Sequence, residues 1–341
     1  MIADKTVLIT GGAGSVGRIL VRQLLNRTAE VIRVFDQSEP GLAELKSQVN
    51  AEKCRFFVGN VRDKDRLARA MNGVDIVIHT AAMKHVDISE YNPFEAVKTN
   101  VIGLQNVIDA AIDADVERFV FTSSDKAAHP ANTMGTTKLL GEKLVTAANK
   151  YSGGHDIRLC SVRFGNVINS SQSVIPIFKR QIETGGPVTL TDPQMSRFFL
   201  TYNDVTELVI DAMKHTEAGE IFIQKMDAIA IEDLAEAMID VFAPAYDHQP
   251  AKIDIEETGR RVGETLDEKI LTQREVHRTV ENDSLYAILP EQSEGDDYLN
   301  HSTLGGFDPV ETVVRSSEHA DKLSQPDIRH LLRSEFAGVL A

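Results

Sequence analysis

The chain has 341 residues, 42% hydrophobic and 26% charged, which is long enough to bury a large core in one big domain or two lobes. A formal net charge of −15 and an isoelectric point near 5.1 exclude general nucleic-acid binding, because polyanions are held by clustered Lys and Arg. No apolar run approaches the roughly 18 residues of a membrane span, the first strand opens by Thr6 and leaves no room for a signal sequence, and Cys54 and Cys160 both sit inside apolar runs, so a cytoplasmic protein with buried thiols is expected.

Six short apolar, β-branched runs follow one another at 6–10, 31–35, 55–58, 75–79, 118–122 and 158–162, with amphipathic stretches over 15–26, 40–49, 64–71, 93–112 and 134–151 between them. That alternation predicts an α/β fold built on a Rossmann-like, doubly wound parallel sheet covered by helices on both faces. Between the first strand and the first helix lies T-G-G-A-G-S-V-G, residues 10–17. Gly11, Gly14 and Gly17 have the spacing for a tight turn, for close approach of backbone to a pyrophosphate and for close helix–strand packing. Ser15 and Val16 open the helix, whose N-terminal N–H groups suit phosphate. A lone glycine triplet can be a simple turn; here the strand, the helix and the position agree on dinucleotide binding.

Asp36 ends the second strand, 19 residues after Gly17. It is placed to accept from the adenosine ribose hydroxyls and to repel a 2′-phosphate, which favours NAD over NADP; capping the turn before Pro40 is its purely structural role. Asn60 and Val61 follow the third strand, where adenine would lie. Ala81 and Ala82 follow the fourth as small residues beside the cofactor, and Asn100 falls near the same edge.

Ser123, Ser124, Asp125 and Lys126 follow the fifth strand, at the carboxyl edge where doubly wound sheets bind ligands. A charged turn in solvent is the ordinary reading of such residues, but an acid beside an amine at the reactive end of a cofactor points to proton transfer. Met134 and Lys138 are four residues apart and share one helix face. A thioether has no ionisable proton, so the chain has either lost its acid–base chemistry or moved it to Asp125 and Lys126.

After Asn166 the alternation weakens, and G-G-P at 185–187 and T-D-P at 191–193 mark turns. A helix N-capped by Asn203 and a strand over 220–223 are predicted to return to the sheet. The expected organisation is a dinucleotide-binding domain over 1–165 with 201–225 returning to it, a second lobe over 166–200 and 226–290, and an arm over 291–341 that packs on the body or on a neighbouring subunit. None of the ten histidines shows H-E-x-x-H spacing and the two cysteines do not form C-x-x-C, so no metal is expected.

In chain order, T-G-G-A-G-S-V-G, H-T-A-A-M-K-H-V, S-S-D-K-A-A-H-P-A-N-T-M-G-T-T-K, R-F-G-N-V, S-V-I-P-I-F, M-S-R-F-F and R-V-G-E resemble the extended short-chain dehydrogenase/reductase branch that contains UDP-N-acetylglucosamine 4,6-dehydratases, above all their inverting, capsular-polysaccharide type. The resemblance runs from about residue 5 to residue 275 and is strongest around S-S-D-K; the last 60 or so residues match less clearly. In the wider family the position of Met134 normally carries a tyrosine that takes the substrate proton. Some members carry methionine there, so the departure does not by itself signal a dead enzyme.

The resemblance implies a UDP-sugar substrate and a three-step reaction. Hydride passes from C4 of the sugar to nicotinamide, water leaves across C5 and C6, and hydride returns to C6 as C5 regains a proton, giving a UDP-4-keto-6-deoxy-N-acetylhexosamine. It implies that Asp125 is the acid for the departing hydroxyl, Lys126 the base at C5, and Lys138 the ligand of the nicotinamide ribose; Ser124 with Lys126 is the candidate pair for the C4 hydroxyl proton. Related dehydratases carry Asp-Glu where this chain has Asp-Lys, a swap that bears on inversion at C5. Arg197 and Arg261 match positions that hold the UDP pyrophosphate, a role suited to the planar guanidinium. Glu264 would accept from the uridine ribose, Asn166 and Val174 would line the nucleotide pocket, and Lys84 would touch the sugar. Relatives form dimers or hexamers, which implies a homo-oligomer. Two other functions compete: a nucleotide-sugar 4-epimerase, which needs no acid for a leaving hydroxyl, and an NAD-binding regulator without catalysis.

Overall fold

The computed structural model describes the whole chain except residues 28, 50, 169, 171–172, 218, 261–263, 292–303, 311 and 341. Two compact units result. Unit 1 comprises Met1–Phe164, Asn203–Lys225 and Ile270–Val313, and unit 2 comprises Gly165–Tyr202, Met226–Lys269 and Val314–Ala341.

Unit 1 alternates β1 (Thr6–Thr10), α1 (Ser15–Leu25), β2 (Val31–Asp36), α2 (Glu39–Gln48), β3 (Cys54–Val58), α3 (Lys64–Met71) and β4 (Ile76–His79). It continues with α4 (Val86–Tyr91), α5 (Pro93–Val97), a π turn (Lys98–Ile102), α6 (Gly103–Asp113), β5 (Arg118–Thr122), α7 (Thr133–Tyr151) and β6 (Arg158–Val162). Strands β1 to β6 pair in parallel in the order β3-β2-β1-β4-β5-β6. The doubly wound parallel sheet expected from the alternation is therefore present. Its interior strands are buried along their length, as Ile76, Val77 and Ile78 and Phe119, Val120 and Phe121 illustrate. Helices such as α3 and α7 start where side chains satisfy their first N–H groups: Asp63 accepts from Arg66 N at 3.0 Å and Asn132 from Gly135 N at 2.9 Å. Cys54 and Cys160 are buried free thiols.

Three expectations change. The predicted helix over 93–112 is broken by the π turn around Asn100, a local widening that recurs at functional sites. Asn203 lies inside the next helix, α9 (Tyr202–His215), and does not cap it. Residues 270–290, expected in the second lobe, extend the sheet instead. Strand β10 (Ile221–Gln224) joins β6 in parallel, and β14 (Leu285–Ile288) and β13 (Thr279–Glu281) then add antiparallel. Leu285 to Ile288 are buried throughout, a short apolar run that periodicity alone does not assign.

Unit 2 has a core of its own. Strands β7 (Asn166–Val167), β9 (Ser196–Leu200) and β11 (Ala228–Ala230) form one small sheet, and β8 (Val188–Leu190) pairs with β12 (Ile255–Glu257). Helices α8 (Val174–Glu183) and α10 (Ile231–Phe242) cover them with Ile175, Phe178, Leu234, Met238 and Phe242. Of the expected arm, the helix over Gln325–Glu335 packs on the body: it buries Ile328 and Leu332 in this core, and Phe336 meets Phe242 edge to face at 5.3 Å between centroids. Among the described residues, no helix is long and apolar enough to cross a membrane.

Candidate active site

The glycine cradle is built by exclusion. Gly11 has φ +68°, and a Cβ on it would lie 2.6 Å from Cα of Ala81; a Cβ on Gly17 would lie 2.3 Å from the Gly11 carbonyl oxygen. Any side chain would collide with the protein's own backbone, so glycine lets the turn, α1 and the segment after β4 pack closely. The turn is closed by Gly14 N donating to Gly11 O at 2.9 Å, and α1 begins at Ser15 without a side-chain cap. Asp36 is fixed beside it: Oδ2 accepts from Ala13 N at 3.0 Å and Oδ1 from Ser38 N at 2.9 Å, and each oxygen keeps a lone pair for a hydroxyl. Asn60 accepts from Arg62 N at 3.0 Å and donates to Gln37 Oε1 at 2.9 Å, while Val61 is buried. Lys84 Nζ lies 3.3 Å from Ser15 Oγ, at the mouth of α1. These residues fit a dinucleotide.

From the cradle the bonds lead step by step to the acid and the amine. Asn100 accepts from Met83 N at 2.7 Å and donates to Met83 O at 3.0 Å and to Thr137 Oγ1 at 2.9 Å, which ties the segment after β4 to α7. Next along α7, Lys138 is buried. Its Nζ donates to Thr122 O at 2.7 Å, stands 4.7 Å from the centre of the Phe121 ring, and has its pKa brought down to about 8 by burial, with Glu142 pulling the other way. His79 is buried against the Phe119 and Phe121 rings with Nδ1 2.7 Å from Thr10 Oγ1. Burial, then the Lys138 charge, lowers its pKa to about 3, so it is neutral. Met134 is buried one turn before Lys138.

Immediately after β5, Ser123 N donates to Val162 O at 2.7 Å and Asp125 N to Phe164 O at 3.0 Å, so the ends of β5 and β6 hold the turn. Three donors converge on Asp125 Oδ1: Ser124 Oγ at 2.6 Å, Lys126 N at 2.8 Å and Lys126 Nζ at 3.1 Å. The other oxygen, Oδ2, is buried with no hydrogen-bond partner among the described residues. The acid side chain is 1% exposed and the lysine 27%. One carboxylate oxygen is saturated and its twin is bare, and a buried bare oxygen is open to a polar group of an incoming ligand.

Beneath this turn lies a cluster that sequence reasoning missed. Arg163, 0% exposed, donates to Glu142 through Nε (2.9 Å) and Nη2 (2.7 Å), to Glu275 through Nη1 (3.1 Å) and Nη2 (2.8 Å), and to Ile270 O at 2.8 Å. Burial works against its charge, but the two carboxylates more than offset that and hold its pKa above the ordinary range. Burial likewise raises the Glu275 pKa, and Arg163 reverses this to leave it lowered. Ser123 Oγ donates to Glu142 Oε1 at 2.6 Å. The one available signal was Glu142 itself, a charge four residues beyond Lys138 on the inward face of α7.

The candidates of unit 2 form a separate group. Asn166 pairs with Phe199, and Val174 opens α8 against the core. Arg197 turns its N–H groups to its own chain: Nη1 to Ser196 O (2.8 Å) and Leu266 O (2.6 Å), Nη2 to Thr265 O (2.7 Å) and Met195 Sδ (3.4 Å), with Nε 3.5 Å from Glu268. It braces the segment that carries Glu264, whose Oε1 lies 3.4 Å from Thr191 Oγ1. The expected diphosphate role asks these donors to be shared with phosphate oxygens. Arg261 lies outside the described residues.

Residues 7–290 match the family described as Polysaccharide biosynthesis protein. The chain is 48% identical over 292 residues (86% of this chain, 88% of the relative) to the uncharacterized membrane protein MJ1061 of Methanocaldococcus jannaschii. It is 41% identical over 292 residues (85% and 84%) to the UDP-N-acetylglucosamine 4,6-dehydratase (inverting) of Campylobacter jejuni, and 36% identical over 337 residues (97% and 96%) to the UDP-glucose 4-epimerase of Rickettsia conorii. Among solved structures, Pen from Bacillus thuringiensis superimposes with a TM-score of 0.86 at 39% identity, covering 98% of each chain. The dTDP-glucose 4,6-dehydratase DesIV from Streptomyces venezuelae, with NAD and TYD bound, gives a TM-score of 0.68 at 26% identity over 76% of this chain and 86% of that one.

Proposed function

The chain belongs to the polysaccharide biosynthesis protein family of extended short-chain dehydrogenase/reductases, and on that premise we propose that it is a 4,6-dehydratase of UDP-N-acetylglucosamine. A nucleotide-sugar dehydratase or epimerase is what the relatives support in common; the asymmetry of Asp125 is what favours the dehydratase. Its saturated Oδ1 orients the group, and its bare, buried Oδ2 offers a proton to a leaving hydroxyl. An epimerase has no leaving hydroxyl to serve.

Bound NAD would supply a reversible acceptor for hydride, and Asp36 favours NAD over NADP because its carboxylate repels a 2′-phosphate. Asp125 hands its Oδ2 proton to the C6 oxygen, which departs as water as the C5–C6 double bond forms. Lys126, as the neutral amine, takes the C5 proton. The proton released earlier from the C4 hydroxyl reaches Asp125 through Ser124, whose Oγ already touches Oδ1, so the proton spent on the C6 oxygen is one the substrate itself gave up in the oxidation step. Lys138 holds the cofactor ribose and its positive charge eases loss of the C4 proton, with Asn100 fixing the same edge. Met134 packs and transfers no proton. Arg197, Arg261 and Glu264 serve the UDP moiety, Asn166 and Val174 line its pocket, and Lys84 meets the sugar. With hydride returned to C6, a proton from solvent added to C5 on the face opposite Lys126, and the proton on Lys126 released to solvent, the product would be a UDP-4-keto-6-deoxy-N-acetylhexosamine inverted at C5.

Incubation with UDP-N-acetylglucosamine and NAD tests the reading by mass: dehydration removes one water, and an unchanged mass with a C4-epimerised sugar would leave the second reading standing. That second reading, a UDP-hexose 4-epimerase, draws on one observation, the match to the Rickettsia conorii epimerase over 97% of this chain.

A further inference from the structure

We propose that Glu142 is a positioning residue of the reacting centre: clamped by Arg163, it anchors the Ser123 hydroxyl at the head of the Asp125–Lys126 turn and supplies the counter-charge to Lys138 one helical turn away. Every link lies within unit 1. Glu142 is 1% exposed and both its oxygens are occupied, Oε1 by Ser123 Oγ and Arg163 Nε, Oε2 by Arg163 Nη2. Arg163 cannot turn away, because its remaining donors are held by Glu275 and Ile270 O. Glu275 is locked in turn by a reciprocal cap with Thr272. Backbone bonds on either side of Arg163, from Ser123 N to Val162 O and from Asp125 N to Phe164 O, carry that rigidity into the turn.

A network that only stabilised the fold could sit anywhere in the core, whereas this one meets the chemistry at two points. Ser123 precedes Ser124 and Asp125, so its anchorage sets where the turn leaves the sheet. Lys138 and Glu142 are four residues apart on α7, both buried, and the carboxylate supports the ammonium. The four buried charges Lys138, Glu142, Arg163 and Glu275 sum to zero. Other charged or titratable groups on the elements packed against α7 are Arg118 on β5, Arg158 and the buried Cys160 on β6, Asp125 and Lys126 of the turn, and Asp87, Glu90, Tyr91, Glu95, Lys98, Asp109 and Asp113 on α4, α5, the π turn and α6, which stand at or near the surface; on β4 beyond them His79 is neutral.

The test uses the full chain with Ser123→Ala and Glu142→Gln. The first keeps the ion pairs and removes only the anchorage; the second keeps the shape and removes the charge. Ser123→Ala should melt within a few degrees of wild type and lower kcat about tenfold with KM nearly unchanged. Glu142→Gln should in addition move the loss of NADH affinity at high pH, read by NADH fluorescence, down by about one pH unit, because Lys138 then gives up its proton sooner. Should Glu142→Gln fail to fold, Ser123→Ala decides alone. Wild-type kcat in folded Ser123→Ala, or an unmoved alkaline limb in folded Glu142→Gln, overturns the proposal. The activity arm rests on the dehydratase reading and is run on whichever nucleotide sugar the wild type converts. If it converts none, that reading fails while the NADH arm still judges Glu142.

Discussion

Two buried arginines, one in each unit, are held in opposite ways. Arg163 in unit 1 is clamped by two carboxylates, and Arg197 in unit 2 mainly by three backbone carbonyls, with Glu268 at the edge of contact. Charge meets charge in the first case, so the guanidinium holds down the pKa of Glu275 and fixes the position of Glu142, which anchors the Ser123 hydroxyl. Dipoles satisfy most of the second, so its donors shape the loop that carries Thr265 and Leu266. On the proposed function, unit 1 would be the place where protons move and unit 2 the place where a ligand is gripped.

The sharpest way to break that division is kinetic. Lys126→Ala should lower kcat by about 10³-fold, whereas Arg197→Lys should raise KM about tenfold and leave kcat nearly intact, since a lysine has neither the fork nor the reach to hold two carbonyls. Steady-state kinetics on UDP-N-acetylglucosamine reads both, and near-normal turnover by Lys126→Ala would refute its role as base.

Stability offers a second contrast. Arg163→Met leaves Glu142 and Glu275 buried without their cation and should cost about 3–5 kcal/mol, while Arg197→Met strands only carbonyls and should cost about 1–3 kcal/mol. Denaturant titration of both variants measures the difference; equal losses would mean that the two arginines are held alike.

Two smaller effects depend on pH. His79 is neutral in the fold because burial has lowered its pKa to about 3, while in the unfolded chain it takes up a proton below about 6.5. Folded protein thus binds fewer protons between those values, and stability falls as pH drops through that window, by about 2 kcal/mol at pH 5. His79→Phe should flatten this acid loss in melting curves. Lys138, with its pKa lowered to about 8, is protonated below that value and neutral above it. The rate should therefore decline severalfold on the alkaline side with a midpoint near 8, and Lys138→Met should lack that limb.

Much of unit 1 was legible because its signals are local. Strand and helix periods, the glycine spacing and the S-S-D-K turn each depend on residues within a few positions of one another. In unit 2, short strands such as Ala228–Ala230 carry too few residues to show a period, and they exist because β9 offers them an edge. The π turn at Asn100 was equally hidden, since its side-chain partners, Met83 and Thr137, are 17 and 37 residues away.

By itself the sequence determined the parallel sheet, the cradle that tolerates no side chain and the adjacency of Asp125 to Lys126. Only the tertiary structure decided which oxygen of Asp125 is left bare, that residues 270–290 complete the sheet, and that Glu142 and Glu275, separated in sequence from Arg163 by 21 and 112 positions, share one guanidinium. The reason is physical: local steric and hydrogen-bonding preferences act along the chain, whereas desolvation and charge pairing act through space.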